Sequence, residues 1–301
     1  MNNSKTKQVS NVFVHEYIPS ARIRVLKNFK NNRLAMIGFW IFLGFCILAL
    51  GAPYLTPFHY DQQSQLLLNP PSWQGKGTVE YFFGTDDLGR DILSRVIYGS
   101  RLTFGSAIIT VALAMLIGIP LGILAGITRG IKSSIIHHLM DTALSIPSLL
   151  LALLVVSVTG VGLTNTLIAV TLAQIPKFIR STYSAVIAQM QKEYLLAIRL
   201  DGASSWQMIK YGIIPNILET IVIQTTRALS SALLDITAIG FIGIGAQAPY
   251  PEWGALIGST RNLLLVAPWT VTLPGLAIMI CILSINLVGE GLRRALNEGT
   301  E

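Results

Sequence analysis

The chain has 301 residues, of which 52% are hydrophobic and only 12% charged, about half the ~25% charged share of soluble domains. So few charges do not clothe a soluble body of this size, which excludes a soluble globular enzyme, a disordered chain and a fibre. The net charge of +7 reads as orientation in a bilayer, with no nucleic-acid partner required. The expected class is an all-α polytopic membrane protein.

Crossing the ~30 Å hydrocarbon layer takes about 20 mainly apolar residues. Six runs meet or approach that length: 34–55, 102–128, 139–160, 163–179, 213–244 and 263–289. The first follows a basic tail, 1–33, and is too long for a signal-peptide core, so it reads as an uncleaved span. The fourth is interrupted by Gln174 and Pro176, and the fifth is long enough to tilt or protrude. Segment 56–101 then lies outside, 102–293 forms a five-helix core, and 294–301 is a second inner tail. Placing the N-terminus inside puts sixteen Lys and Arg on inner segments and five on outer ones, with Arg227 in a span. Basic residues are retained in the cytoplasm, so both termini are expected there. Cys46 and Cys281 fall within apolar runs and read as packing residues.

The inner segment 177–212 is the most informative. Gln189 to Asp201 holds good helix formers and no proline, and Gly202 is a natural helix stop. Ser204 and Gln207 fit a capping box that opens a short helix to Gly212. Pro215 suits the first turn of the next span, where its missing N–H costs nothing. The predicted object is a helix, a tight turn and a second short helix. It fits either a knob for a groove on a soluble partner or a plain interfacial connector.

Ionisable residues within spans are costly and invite a functional reading. Asp141, Glu219, Arg227 and Asp235 are the candidates; the last three are spaced by eight on the fifth span. Eight residues advance about 12 Å and leave 80° between neighbours, too far for direct pairing. They read either as a cation-tolerant lining of a translocation path or as inter-helix pairing. Gly118, Gly122 and Gly126 make two overlapping GxxxG units that admit a close helix, within the subunit or from another subunit. His137-His138 has no neighbouring ligands at metal spacing and reads as solvated loop. The outer residues Asp86, Asp87, Arg90 and Asp91 suit either a contact for a binding protein or local structure, with Thr85-Asp86 capping a helix over 92–98. The sequence has no G-x-x-x-x-G-K-[ST] phosphate loop, nucleophile elbow or zinc helix.

The stretch Glu193-Tyr194-Leu195-Leu196-Ala197-Ile198-Arg199-Leu200-Asp201-Gly202-Ala203-Ser204, continued by Ile209 and Pro215-Asn216, resembles the "EAA" loop of membrane subunits of ATP-binding-cassette importers. Where that pattern carries Glu-Ala-Ala this chain reads Leu196-Ala197-Ile198, and Glu193 lies one turn earlier. Phe83 to Arg95 and Pro251 to Ala255, with Ala267-Pro268-Trp269, resemble segments of the dipeptide and oligopeptide permeases, closest to their Sap branch. That resemblance implies a type I importer permease fold and no enzymatic activity in this chain. It also implies a homologous second permease, two ATPase subunits carrying ATP and Mg, and a periplasmic substrate-binding protein at a bacterial inner membrane. Peptides, including antimicrobial peptides, are the implied cargo, and polyamines or other cations the alternative. A self-contained secondary transporter or channel is the rival class.

Overall fold

The computed structural model describes residues 21–128 and 140–300. Its regular structure is helical; among the described residues the only bridges are Gln63 with Arg90 and Thr85 with Asp91. We number the helices α1 (Ala21–Asn31), α2 (Arg33–Leu55), α3 (Ile92–Ser100), α4 (Ser106–Ile127), α5 (Ser148–Thr159), α6 (Leu163–Met190), α7 (Glu193–Leu200), α8 (Ser205–Gln207), α9 (Ile214–Ile242), α10 (Trp253–Thr260) and α11 (Trp269–Thr300). A π turn at Arg101–Gly105 joins α3 to α4, and another at Met208–Ile213 joins α8 to α9.

Among the described residues, three helical stretches are long and apolar enough to cross a membrane: Arg33–Leu55, Ile92–Ile127 and Trp269–Asn297. α6 and α9 match them in length, at 28 and 29 residues, but carry Gln174, Lys177 and Arg180, or Glu219, Arg227 and Asp235. The expected third span is broken. Residues 140–144 are helical, 145–147 turn, and α5 has 12 residues, about 18 Å at 1.5 Å per residue. Pro147 explains the break, since it lacks an N–H and disfavours helix at the residue before it. Within the basic tail, α1 is helical and packs against α11.

Two further departures matter for the site. The helix of the fourth run does not end near Ile179. α6 continues through Pro176 to Met190, so Lys177 and Arg180 stand on a helix and the inner loop begins near Gln191. The predicted helix from Gln189 is interrupted at Gln191-Lys192 and restarts as α7 at Glu193.

The glycine stripe serves contacts inside the subunit. A Cβ at Gly118 would meet the Phe178 side chain, at Gly122 the Thr182 side chain and Ile179 carbonyl, and at Gly126 the Val186 side chain. α4 and α6 therefore meet almost backbone to backbone. At the outer end, fully buried Glu252 caps α10, accepting from Gly254 N at 3.0 Å and Ala255 N at 2.8 Å, while Thr103 donates to it at 2.9 Å. The adjacent Trp253 indole donates to the Val96 carbonyl at 2.9 Å. This ties α10 to α3 and the first π turn.

Candidate functional site

The inner loop folds as two short helices about one forced turn. Gly202 has φ +82°, a left-handed conformation that glycine adopts without steric cost. Its N–H donates to Arg199 O at 3.2 Å, and Ala203 N donates to Ile198 O at 3.3 Å, closing α7. The capping box forms as predicted: Gln207 N donates to Ser204 Oγ at 3.3 Å, and Ser204 N donates to Gln207 Oε1 at 2.8 Å. The second short helix does not stop at Gly212; it continues through the π turn into α9, with Pro215 in the first turn. The wider π turn accommodates the chain just before a residue that can neither donate an N–H nor fit a regular preceding turn.

The loop has a buried side and an open side. Leu195 packs with Ile213, Ile217, Val186 and Ile123, and Gly212 lies where a Cβ would collide with Leu195. The Tyr194 hydroxyl sits 3.0 Å from the Gly212 carbonyl and 2.9 Å from Gln189 Oε1. Burial raises its pKa, so it stays a neutral donor. Opposite this anchor, Glu193, Leu196, Ala197 and Leu200 are all exposed, at the i, i+3, i+4, i+7 spacing of one helical face. Glu193 thus shares a face with Leu196 and Ala197, and as a first-turn acid it also complements the dipole of α7. Across the turn Ser204 and Trp206 are exposed, Ala203 and Ile209 half-buried. Leu200, at 87% exposure, and Trp206, at 67%, are the most exposed large apolar groups of α7 and α8, with Leu196 beside them.

The intramembrane ionisable residues do not form one continuous lining. Asp141 pairs with Arg180 of α6, and both are partly exposed. Glu219 lies against Asn297 of α11, whose amide nitrogen approaches Glu219 Oε2 at 3.0 Å. Asp235 is buried, and Gln174 Nε2 of α6 lies 3.5 Å from it. Gln174 Nε2 and Lys177 Nζ each approach Ser231 Oγ at 3.2 Å, completing a polar network between α6 and α9. Arg227 is exposed, and among the described residues no carboxylate pairs with it. It opens onto a cleft of about 460 Å³ with Gln174, Lys177, Arg180, Gln224 and Ser231. Among the described residues three cations, Lys177, Arg180 and Arg227, and no acid line that cleft.

Gln174 and Lys177 join the candidate site only in the structure, since the sequence alone presents Gln174 as a span interruption and Lys177 as a loop base. Polar residues at 174, 177 and 181 recur at i, i+3 and i+7, a stripe that becomes legible once Pro176 is placed inside a helix. His137-His138 lies outside the described residues.

The outer acidic cluster is largely internal. Asp86 is buried; its Oδ1 accepts from Leu88 N and Arg90 N at 2.9 Å each, and its Oδ2 accepts from Arg90 Nε at 2.7 Å. The cap of α3 is Asp91, which accepts from Ser94 N at 2.7 Å, in place of the expected Thr85-Asp86 pair. Asp86, Arg90 and Asp91 are thus buried in their own turn, and Asp87 is the exposed member of the four.

Comparison with known proteins agrees with this geometry. Residues 118–301 match the family described as "Binding-protein-dependent transport system inner membrane component", and residues 20–71 match the "N-terminal TM domain of oligopeptide transport permease C". The peptide transport system permease protein SapC of Salmonella typhimurium is 47% identical over 278 residues, 91% of this chain and 93% of that protein. The di/tripeptide transport system permease protein DppC of Pseudomonas aeruginosa is 39% identical over 280 residues, 93% of this chain and 92% of that protein. An inward-facing structure of the MetNI methionine ABC transporter has a chain with a similar fold, at a TM-score of 0.57 and 19% identity, covering 67% of this chain and 96% of that one. The chain belongs to the family of inner-membrane components of binding-protein-dependent transport systems.

Proposed function

We propose that this chain is one membrane-spanning half of a peptide transporter powered by separate ATPase subunits. Its six apolar runs traverse the inner membrane with both termini in the cytoplasm, and a homologous second permease completes the pathway. A periplasmic binding protein delivers peptide, and ATP with Mg is bound by the two ATPase chains. The relatives named for peptide transport support the cargo, and the excess of bases on the inner segments supports the orientation.

The observation that carries this reading is the open face of α7 and α8. Leu200 and Trp206 project from a rigid turn while Leu195 anchors its far side. Apolar groups held out on an ordered knob suit the groove of a partner. Glu193 on the same face supplies the acidic contact for which the family pattern has a glutamate a turn later. The test is co-purification of the complete assembly carrying Leu200→Asp or Trp206→Ala. The permease is expected in the membrane at normal levels, with the ATPase chains lost from it. Full retention of the ATPase chains in both variants, with undiminished uptake, would remove the coupling surface from this loop.

A further inference from the structure

The cleft between α6 and α9 carries chemistry that the coupling loop does not explain. Arg227 lies near the middle of the 29-residue α9, about 20 Å from either end at 1.5 Å per residue. A guanidinium at that depth does not face lipid at low cost; it faces water, a polar ligand or another chain. Among the described residues no carboxylate of its own subunit forms an ion pair with it; Glu290, which shares a neighbouring recess with Arg227, is paired with Arg293 and Arg294. The other two cations of the cleft are already answered, because Asp141 pairs with Arg180 and Asp235 stands behind Lys177 through Ser231 and Gln174. Arg227 is the uncompensated charge.

A second observation comes from Gln174. Its side chain is fully buried on the cleft wall, and its Nε2 is engaged with Ser231 and Asp235, yet its Oε1 has no hydrogen-bond donor. A buried acceptor without a donor is rare in folded proteins. The cleft therefore presents a fork of donors for an anion, and its wall residue Gln174 holds an acceptor that no N–H of the subunit meets. The C-terminus of a peptide carries that pair, a carboxylate adjoining a backbone N–H. An inorganic anion has no N–H to offer, and a polyamine has no anion and meets three like charges.

We propose that this cleft receives the C-terminal carboxylate of the peptide in transit, with Arg227 as its charged partner and Gln174 accepting the neighbouring amide N–H. The inference rests on the peptide reading given above. A concave recess suits a chain terminus, and arginine matches a carboxylate with two parallel hydrogen bonds. An acidic residue of the second permease is the competing occupant, and the experiment separates the two.

The complete transporter, with both permeases, the ATPases and binding protein saturated with peptide, is reconstituted in proteoliposomes. Uptake of a peptide is compared with uptake of its C-terminal amide. The wild type is expected to favour the free acid by about tenfold or more, the scale of a charge-assisted pair. Arg227→Gln is expected to bring the ratio close to one, and Arg227→Lys to keep most of the preference. A wild-type ratio near one, or an unchanged ratio in Arg227→Gln, would overturn the carboxylate site while peptide transport stands. Loss of the second permease from the purified Arg227→Gln assembly, restored by Arg227→Lys, would assign Arg227 to a subunit contact and also overturn the proposal. Failure of both acid and amide to be transported by the wild type would overturn the peptide reading itself.

Discussion

Gly202 offers a perturbation whose effect is confined to the backbone. A Cβ built on it meets nothing within 4 Å, so Gly202→Ala adds no clash and removes no packing. What it adds is the cost of a left-handed φ of +82°, about 1–2 kcal/mol for an L-residue. Asparagine tolerates that region better, so Gly202→Asn should fall between glycine and alanine. Gly202→Pro is harsher, because proline fixes φ near −65° and removes the N–H now bonded to Arg199 O, a loss of about 3 kcal/mol or more when such a residue is misplaced. If α7 and α8 engage the ATPases only in the observed turn, these costs act on the engaged state. One to two kcal/mol corresponds to a factor of about 5–30. Uptake per ATP hydrolysed in proteoliposomes should decline in the order Gly, Asn, Ala, Pro, with permease levels in the membrane unchanged. Wild-type coupling in Gly202→Ala and Gly202→Pro alike would refute the turn as a rigid coupling element.

The contact between α4 and α6 gives a stability prediction. In Gly122→Ala the new methyl would sit 2.8 Å from the Ile179 carbonyl and 2.7 Å from Thr182 Cβ, an overpacking worth about 1–3 kcal/mol. The purified permease should unfold at lower temperature, whereas Gly44→Ala, with open space at its Cβ, should not; equal melting of the two variants would count against close packing. Glu252 gives a pH prediction. Burial raises its carboxyl pKa above the ordinary 4.5, partly offset by the Gly254, Ala255 and Thr103 hydrogen bonds. The folded state thus favours the protonated form, so its stabilising contribution is present below pH 4.5 and lost as pH rises through the raised value. Melting temperature against pH should fall more steeply in the wild type than in Glu252→Gln over that interval, and parallel curves would exclude this linkage.

The most legible parts of the chain were those governed by local chemistry. Ser204 and Gln207 formed their capping box, Gly202 took the left-handed turn, and Pro215 entered the first turn of α9, because each depends on residues within a few positions. The errors arose where a local signal met tertiary context. Pro176 and the charges after it read as a span end, yet α6 continues because Phe178, Thr182 and Val186 pack into the glycine stripe of α4. Packing of that extent outweighs one missing backbone hydrogen bond. Conversely, the run through Pro147 read as continuous on hydropathy alone, and the proline broke it. The site charges were legible as residues but not as partners. Asp141, Glu219 and Asp235 found Arg180, Asn297 and the Gln174 network on other helices, pairings that spacing along α9 does not contain.

The placement of Arg227 and the coupling turn on one continuous helical path has a mechanical consequence. From Ser205 the backbone passes through α8 and the π turn into α9 without a flexible link. The joint is braced where Leu195 fills the space at Gly212 and where Asn216 Nδ2 donates to the Gly212 carbonyl at 2.7 Å. A displacement of α8 by the proposed ATPase partner would therefore be carried into α9 and not absorbed in the loop. The cleft wall opposite, Gln174 and Lys177 of α6, is held to α4 by the glycine stripe and meets α9 through Ser231. Relative movement of α9 against α6 changes the distance between Arg227 and Gln174, the two groups proposed to hold the peptide terminus. In this mechanism the ATPase stroke and release of the carboxylate are one motion, read at two ends of the same helix.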